Sequence, residues 1–145
     1  MTQQKNIQLA SELRTVLTRL IKKLRKQSVT GLQLSLTGRS TLGQLYQNKE
    51  LLASELAAME KITNQSMSQI LAHLLELGYI EKTASQTDKR KVIISLTEQG
   101  KAVVEQVRSE RSEWLAKAIR ETCTADEEEL LKQVIGPLTK LVDFE

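Results

Sequence analysis

Residues 63–100 read TNQSMSQILAHLLELGYIEKTASQTDKRKVIISLTEQG, and this stretch decides the fold. Thr63 opens it as an N-cap, because its hydroxyl can accept from a first-turn amide. Met67, Ile70, Leu71 and Leu74 follow at spacings of three and four, which is one face of a helix. Gly78 stands where helices end. Tyr79 to Thr83 and Val92 to Leu96 are short β-prone runs on either side of the polar segment Ala84 to Lys91. That pattern predicts a hairpin with a long loop.

Stepping 100° per residue from Met67 puts Gln65, Gln69, Ala72 and Glu76 on the face opposite the apolar one, flanked by Ser66, Ser68 and His73. This face is small and polar, and almost uncharged in its N-terminal half. A helix fits the DNA major groove, where Gln can make a bidentate contact to adenine and a methyl such as that of Ala72 can meet thymine's. An ordinary solvated helix face has a similar composition. The hairpin holds Lys82, Lys89, Arg90 and Lys91 against Asp88, and these side chains sum to a local charge of +3.

Upstream, a helix is expected from Ile7 to about Gln27, with Ala10, Leu13, Leu17, Leu20, Ile21 and Leu24 on one face. Ser28 to Leu36 reads as a linker. Thr37 is expected to cap a second helix, with Leu42, Leu45 and Tyr46 inward. A short third helix runs from roughly Leu52 to Glu60. Downstream, Thr97 caps a long helix reaching about Glu121, and Thr124 with Glu127 forms a capping box for the last one. Pro137 is expected to kink that last helix.

The 145 residues suit one ordinary domain, and 40% hydrophobic with 27% charged residues argues against disorder. The one Cys excludes an internal disulfide, and one Cys with one His excludes a structural zinc site built from N and S ligands. No signal core and no membrane-length apolar run is present, so the expectation is a soluble, cytoplasmic chain without a membrane partner. No catalytic constellation or phosphate-cradling glycine loop has a defensible spacing. An enzyme, a bound metal and a cofactor are therefore not expected. Residues 1–30 carry a net +6 and residues 102–145 a net −4, so the two ends could attract, within one chain or across a dimer, although for any single charge a solvated face is the plainer reading.

In this order and spacing the motifs resemble the MarR family of bacterial transcription regulators. The matching residues are Glu55-Leu56-Ala57, Leu74-x-x-x-Gly78-Tyr79-Ile80, Asp88-x-Arg90 and Leu96-Thr97-x-x-Gly100. Leu36-Thr37 and Thr124-x-x-Glu127 fit as well. The chain departs from the family at Ser40, where Gln is frequent, and at Leu52, where a polar cap is common. It departs again at Gln69, where Arg is frequent.

The resemblance implies a mainly α fold with a small β-hairpin wing. Residues 37–96 would form a winged helix-turn-helix lobe, and residues 1–30 and 97–145 a helical dimerisation region. It also implies a homodimeric regulator, more often a repressor, on a pseudo-palindromic operator in double-stranded DNA, responsive to a small aromatic effector. The DNA contacts would come from Thr63, Asn64, Gln65, Ser66, Ser68, Gln69 and His73 on the recognition helix. Lys82, Asp88, Lys89, Arg90 and Lys91 would supply those of the wing. Arg90 would enter the minor groove with Asp88 orienting it. For His73, a phosphate contact and a plain exposed histidine remain equal readings. Cys123 reads as a small apolar filler rather than a sensor, and Trp114 as core or interface. A winged-helix module that binds protein rather than DNA is the alternative, because Gln and Ser rather than Arg dominate the contact face.

Overall fold

The computed structural model describes residues 2–145, so residue 1 of the expected first region lies outside it. Six α-helices and three strands follow in the order α1 (Thr2–Arg25), α2 (Leu36–Asn48), β1 (Glu50–Leu52), α3 (Ala53–Met59), α4 (Asn64–Glu76), β2 (Ile80–Ala84), β3 (Val92–Leu96), α5 (Glu98–Thr122) and α6 (Ala125–Asp143). The mainly helical architecture with a small wing is the expected fold class. The wing differs from the expected hairpin by one strand. It is a three-stranded antiparallel sheet of order β1-β3-β2, with Glu50 opposite Ser95 and Ile80 opposite Leu96.

Local chemistry sets most helix ends. Thr63, Thr97 and Thr124 each accept a hydrogen bond from the amide three residues on, at 3.0, 3.0 and 3.2 Å. Glu127 returns the bond to the Thr124 amide at 2.9 Å, completing the capping box. The cap of α2 is a correction: Ser35, not Thr37, accepts from Gly38 at 3.0 Å, and the helix starts at Leu36. The expected linker is also not uniform, because Thr30–Gln33 form a 3-10 turn. The N-cap of α3 is Leu52, whose side chain cannot cap. Glu55 compensates by accepting from the Leu52 amide at 2.9 Å. α6 runs on through Pro137.

α3 and α4 both end in a Schellman motif. Ile62 donates to the Ala57 carbonyl and Tyr79 to that of Leu74. The left-handed residue of the second is Gly78, at φ 83°, and that of the first is Lys61, at φ 57°. These two caps fix the angle between α3 and α4 and the exit of α4 into the wing.

The core lies inside the lobe. Leu42, Leu45, Leu56, Met67, Leu71, Leu74, Ile80 and Ile94 are almost completely buried, and Val104 of α5 packs onto their cluster. α1 and α6 contain no buried residue. Their apolar stripes stay open to solvent, with Ile7, Leu130 and Ile135 each more than 60% exposed. Trp114 is half-buried, with Lys23 Nζ 5.8 Å from its ring centre. Cys123 is half-buried beside Thr122.

The lobe meets α5 at a tight corner. Thr97 donates its amide to the Tyr79 carbonyl at 3.1 Å and its hydroxyl to the Gly78 carbonyl at 2.6 Å. Gly100, one turn into α5, lies so close that a Cβ there would stand 2.0 Å from the Tyr79 oxygen. The spaced motifs Gly78-Tyr79 and Thr97-x-x-Gly100 are the two halves of this one contact.

Candidate nucleic-acid interface

α4 buries Met67, Leu71 and Leu74 against the lobe, and this turns its other face outward. Thr63, Asn64, Gln65, Ser66, Ser68, Gln69 and His73 are all exposed, as the helical periodicity predicts. Thr63 also donates its hydroxyl to Ser66 Oγ at 3.0 Å, so both belong to the helix cap. Among the described hydrogen bonds, the side-chain amides of Gln65 and Gln69 take part in none, which leaves both free for an outside partner.

The wing tip is a hydrogen-bonded turn. Ser85 is buried, and its hydroxyl accepts from the amides of Thr87 and Asp88, both at 3.3 Å. Asp88 Oδ1 accepts from the Arg90 amide at 3.1 Å and from Arg90 Nε at 3.3 Å. The Arg90 side chain is nonetheless 92% exposed, against 30% for Asp88. An ion pair this open adds little to stability. Its consequence is local, since it holds the guanidinium beside Asp88 while leaving it open to solvent.

The fold brings part of the expected set together. Asn64 and Ser68 of α4 share one surface depression with Arg90 and Lys91 of the wing. Ser54, in the first turn of α3, lines it as well and was not among the expected residues. Its position just inside the first helix of a helix-turn-helix was the available signal. Gln69 and His73 line a second depression, with Ser35 and Gly38 at the start of α2. Lys82 is exposed in β2 opposite Ile94 and lines neither.

A third cavity, of about 150 Å³, lies between α2 and α5. Leu34, Leu42, Val103, Val104 and Val107 make its apolar wall, and Arg39, Arg108 and Arg111 its polar one. The Nε atoms of Arg39 and Arg111 are buried without a hydrogen-bond partner. Burial, and then the like charges of Arg39 and Arg25, hold the Arg111 pKa below its ordinary value. Sequence periodicity assigned no role to these arginines, because Arg39 lies on α2 and Arg108 and Arg111 on α5, and only folding brings the two helices together.

A helix-turn-helix joined to a β-sheet wing, with a polar helix face and an outward arginine, defines a winged helix-turn-helix protein. The family model of the MarR family matches residues 32–91. An HTH-type transcriptional regulator of Mycobacterium tuberculosis is 30% identical over 135 residues, 93% of each chain. The multiple antibiotic resistance protein MarR of Salmonella typhimurium is 32% identical over 85 residues, 56% of this chain and 59% of its own. The chain belongs to the MarR family of transcription regulators, and its relatives and fold are those of regulators rather than enzymes.

Solved structures agree. One from Pseudomonas aeruginosa PA01 has a TM-score of 0.84 at 28% identity, covering 97% of this chain and 98% of that one. A MepR mutant of S. aureus bound to an oligodeoxyribonucleotide has a TM-score of 0.70 at 20% identity, with 93% and 98% coverage, and shares the fold. No helix among the described residues is long and apolar enough to cross a membrane.

Proposed function

We propose that this chain is a homodimeric, ligand-responsive repressor acting in the cytoplasm on a pseudo-palindromic operator. The observation that carries the DNA reading is the juxtaposition of the uncharged polar face of α4 with the outward Arg90 of the wing. α4 enters the major groove with Thr63, Asn64, Gln65, Ser66, Ser68, Gln69 and His73 toward the duplex. Lys82, Asp88, Lys89, Arg90 and Lys91 follow the backbone and the adjacent minor groove, whose negative potential attracts Arg. Residues 37–96 form the DNA-binding lobe, and residues 1–30 and 97–145 the dimer-forming region. The oligonucleotide complex of a protein with the same fold supports this docking.

The open apolar stripes of α1 and α6 support the dimer, since exposed patches of that kind mark interfaces. The 25 residues of α5 span about 37 Å. That length suits two half-sites one helical turn apart, about 34–36 Å.

Selection from a random duplex pool tests the reading. The selected sites should be pseudo-palindromes, and sedimentation should give about twice 16.4 kDa. Arg90→Ala should weaken specific and non-specific binding together and flatten the slope of log affinity against log salt by about one unit. Asp88→Ala should do less, and almost nothing once Arg90 is already Ala. An unchanged slope in Arg90→Ala would leave the wing a solvated hairpin. Failure of any duplex to bind would favour a protein-binding module.

The effector site is the arginine-lined cavity between lobe and α5. Its volume suits a single aromatic ring, and the buried, unpartnered Nε atoms of Arg39 and Arg111 suit an attached carboxylate. By preferring a lobe spacing that misfits the operator, such a ligand shifts the population off DNA. Hydroxybenzoate should weaken operator binding by the wild-type protein and leave Arg111→Met unaffected. Equal responses of the two proteins would move the site elsewhere.

A further inference from the structure

Glu110 lies on α5, and its carboxylate gathers the chain that joins α1 to α2. Ser28 donates its hydroxyl to Oε1 at 2.7 Å, the Thr30 amide donates to Oε1 at 3.4 Å, and the Thr30 hydroxyl to Oε2 at 3.2 Å. Ser28 is completely buried, and its oxygen also accepts from the Gly31 amide at 3.0 Å. Arg39 donates Nη1 to the Arg25 carbonyl at 3.1 Å, which closes the end of α1 onto the start of α2. Among the described ion pairs none includes Glu110, so its oxygens serve the connecting segment and Gln106. Those hydrogen bonds, Ser28's foremost, hold its pKa below the usual carboxylate range.

Among the described hydrogen bonds, α5 is thus tied to the lobe and its entry segment at three points. Tyr46 of α2 donates its hydroxyl to Glu105 at 3.0 Å on the exposed side, and the two outer points are the Thr97 corner with Gly78 and Tyr79 and Glu110. Thirteen residues of helix separate them, about 20 Å. Between them, apart from the contacts of Tyr46 with Glu105 and Arg108, the lobe is met by Val103, Val104 and Val107, and apolar packing of that kind lacks direction. Without Glu110, among the described hydrogen bonds only the exposed Tyr46–Glu105 one restrains the lobe on α5 beyond the Thr97 corner, and the lobe can turn about that corner. A rotation of about 10° moves a point roughly 20 Å away by about 3.5 Å, close to one base-pair step.

We propose that Glu110 is a positioning residue for DNA binding: it clips the α1–α2 connection to α5, sets the lobe's angle on that helix, and so selects the half-site spacing the dimer accepts. This rests on the DNA-binding reading above.

The test is a duplex library in which two fixed half-sites are separated by spacers varied one base pair at a time. The wild-type protein should prefer one spacing by about tenfold. Glu110→Ala should flatten that profile to within about threefold, while half-site sequence preference and dimer mass stay unchanged. Glu110→Gln keeps an acceptor for Ser28 and the Thr30 amide, and its amide can donate to the Thr30 hydroxyl. It should retain the wild-type profile.

A purely structural role would lower stability or affinity equally at every spacing, and that result overturns the proposal. Should Glu110→Ala not fold, Ser28→Ala is read on the same library. A sharp wild-type profile in Ser28→Ala would also overturn it. If the wild-type protein binds no duplex at all, the DNA-binding reading itself fails and the clip falls with it. Wild-type binding with identical profiles in all variants removes the clip alone.

Discussion

Gly100→Ala should destabilise the protein by about 3 kcal/mol, the upper part of the range for overpacking a tight contact. The added Cβ would meet the Tyr79 carbonyl oxygen at 2.0 Å and its carbon at 2.9 Å. Both atoms are backbone, held by the Thr97 amide, so no side-chain rotation relieves the clash. α5 must move away from the lobe, which strains the Thr97 hydroxyl bond to Gly78 as well. For a chain of this size the melting temperature should fall by roughly 10 °C. Gly43→Ala is the control, because a Cβ there meets nothing within 4 Å and lies inside a helix. It should be neutral, or stabilising by up to about 1 kcal/mol. Thermal unfolding of the two variants side by side decides the matter, and equal melting temperatures would mean the corner has slack.

Gln69→Ala should cost about 1–3 kcal/mol per half-site on the best operator and relax the choice at one or two positions. Gln69 is exposed on the outer face of α4. Bidentate Gln contacts select adenine, whereas the Arg frequent at this place in the family favours guanine. The selected half-sites should therefore be A·T-rich under α4. Stability should hardly change, because the side chain packs on nothing in the core. Isotherms on the selected duplex, and on duplexes changed at single positions, give both numbers. G-rich half-sites indifferent to the substitution would show that another face of α4 reads the bases.

Much of the fold was legible residue by residue, for a local reason. Threonine caps at 63, 97 and 124 and the glycine at 78 act within four residues of themselves, so their chemistry needs no distant partner. The apolar spacing from Met67 to Leu74 turned the polar face of α4 outward. The Asp88-x-Arg90 pairing spans two residues and is equally local. Thr37 was misread as the α2 cap because Ser35 and Thr37 are both competent N-caps. Which one serves depends on where the preceding 3-10 turn delivers the chain.

Other features exist only after folding. β1 is three residues long and pairs with residues 93–95, more than forty positions downstream, so no turn signal announces it. Ser54 joins the wing arginine only when α3 packs beside α4. Arg39 and Arg111 form one polar wall although 72 positions separate them, and Ser28 reaches Glu110 across 82. Hydrophobic periodicity and capping are decided by neighbours along the chain, so sequence alone determined the helices, the wing tip and the outward face of α4. The clip, the arginine cavity and the Gly100 contact required tertiary structure, because each depends on distances between elements, which are set by packing the whole lobe onto α5.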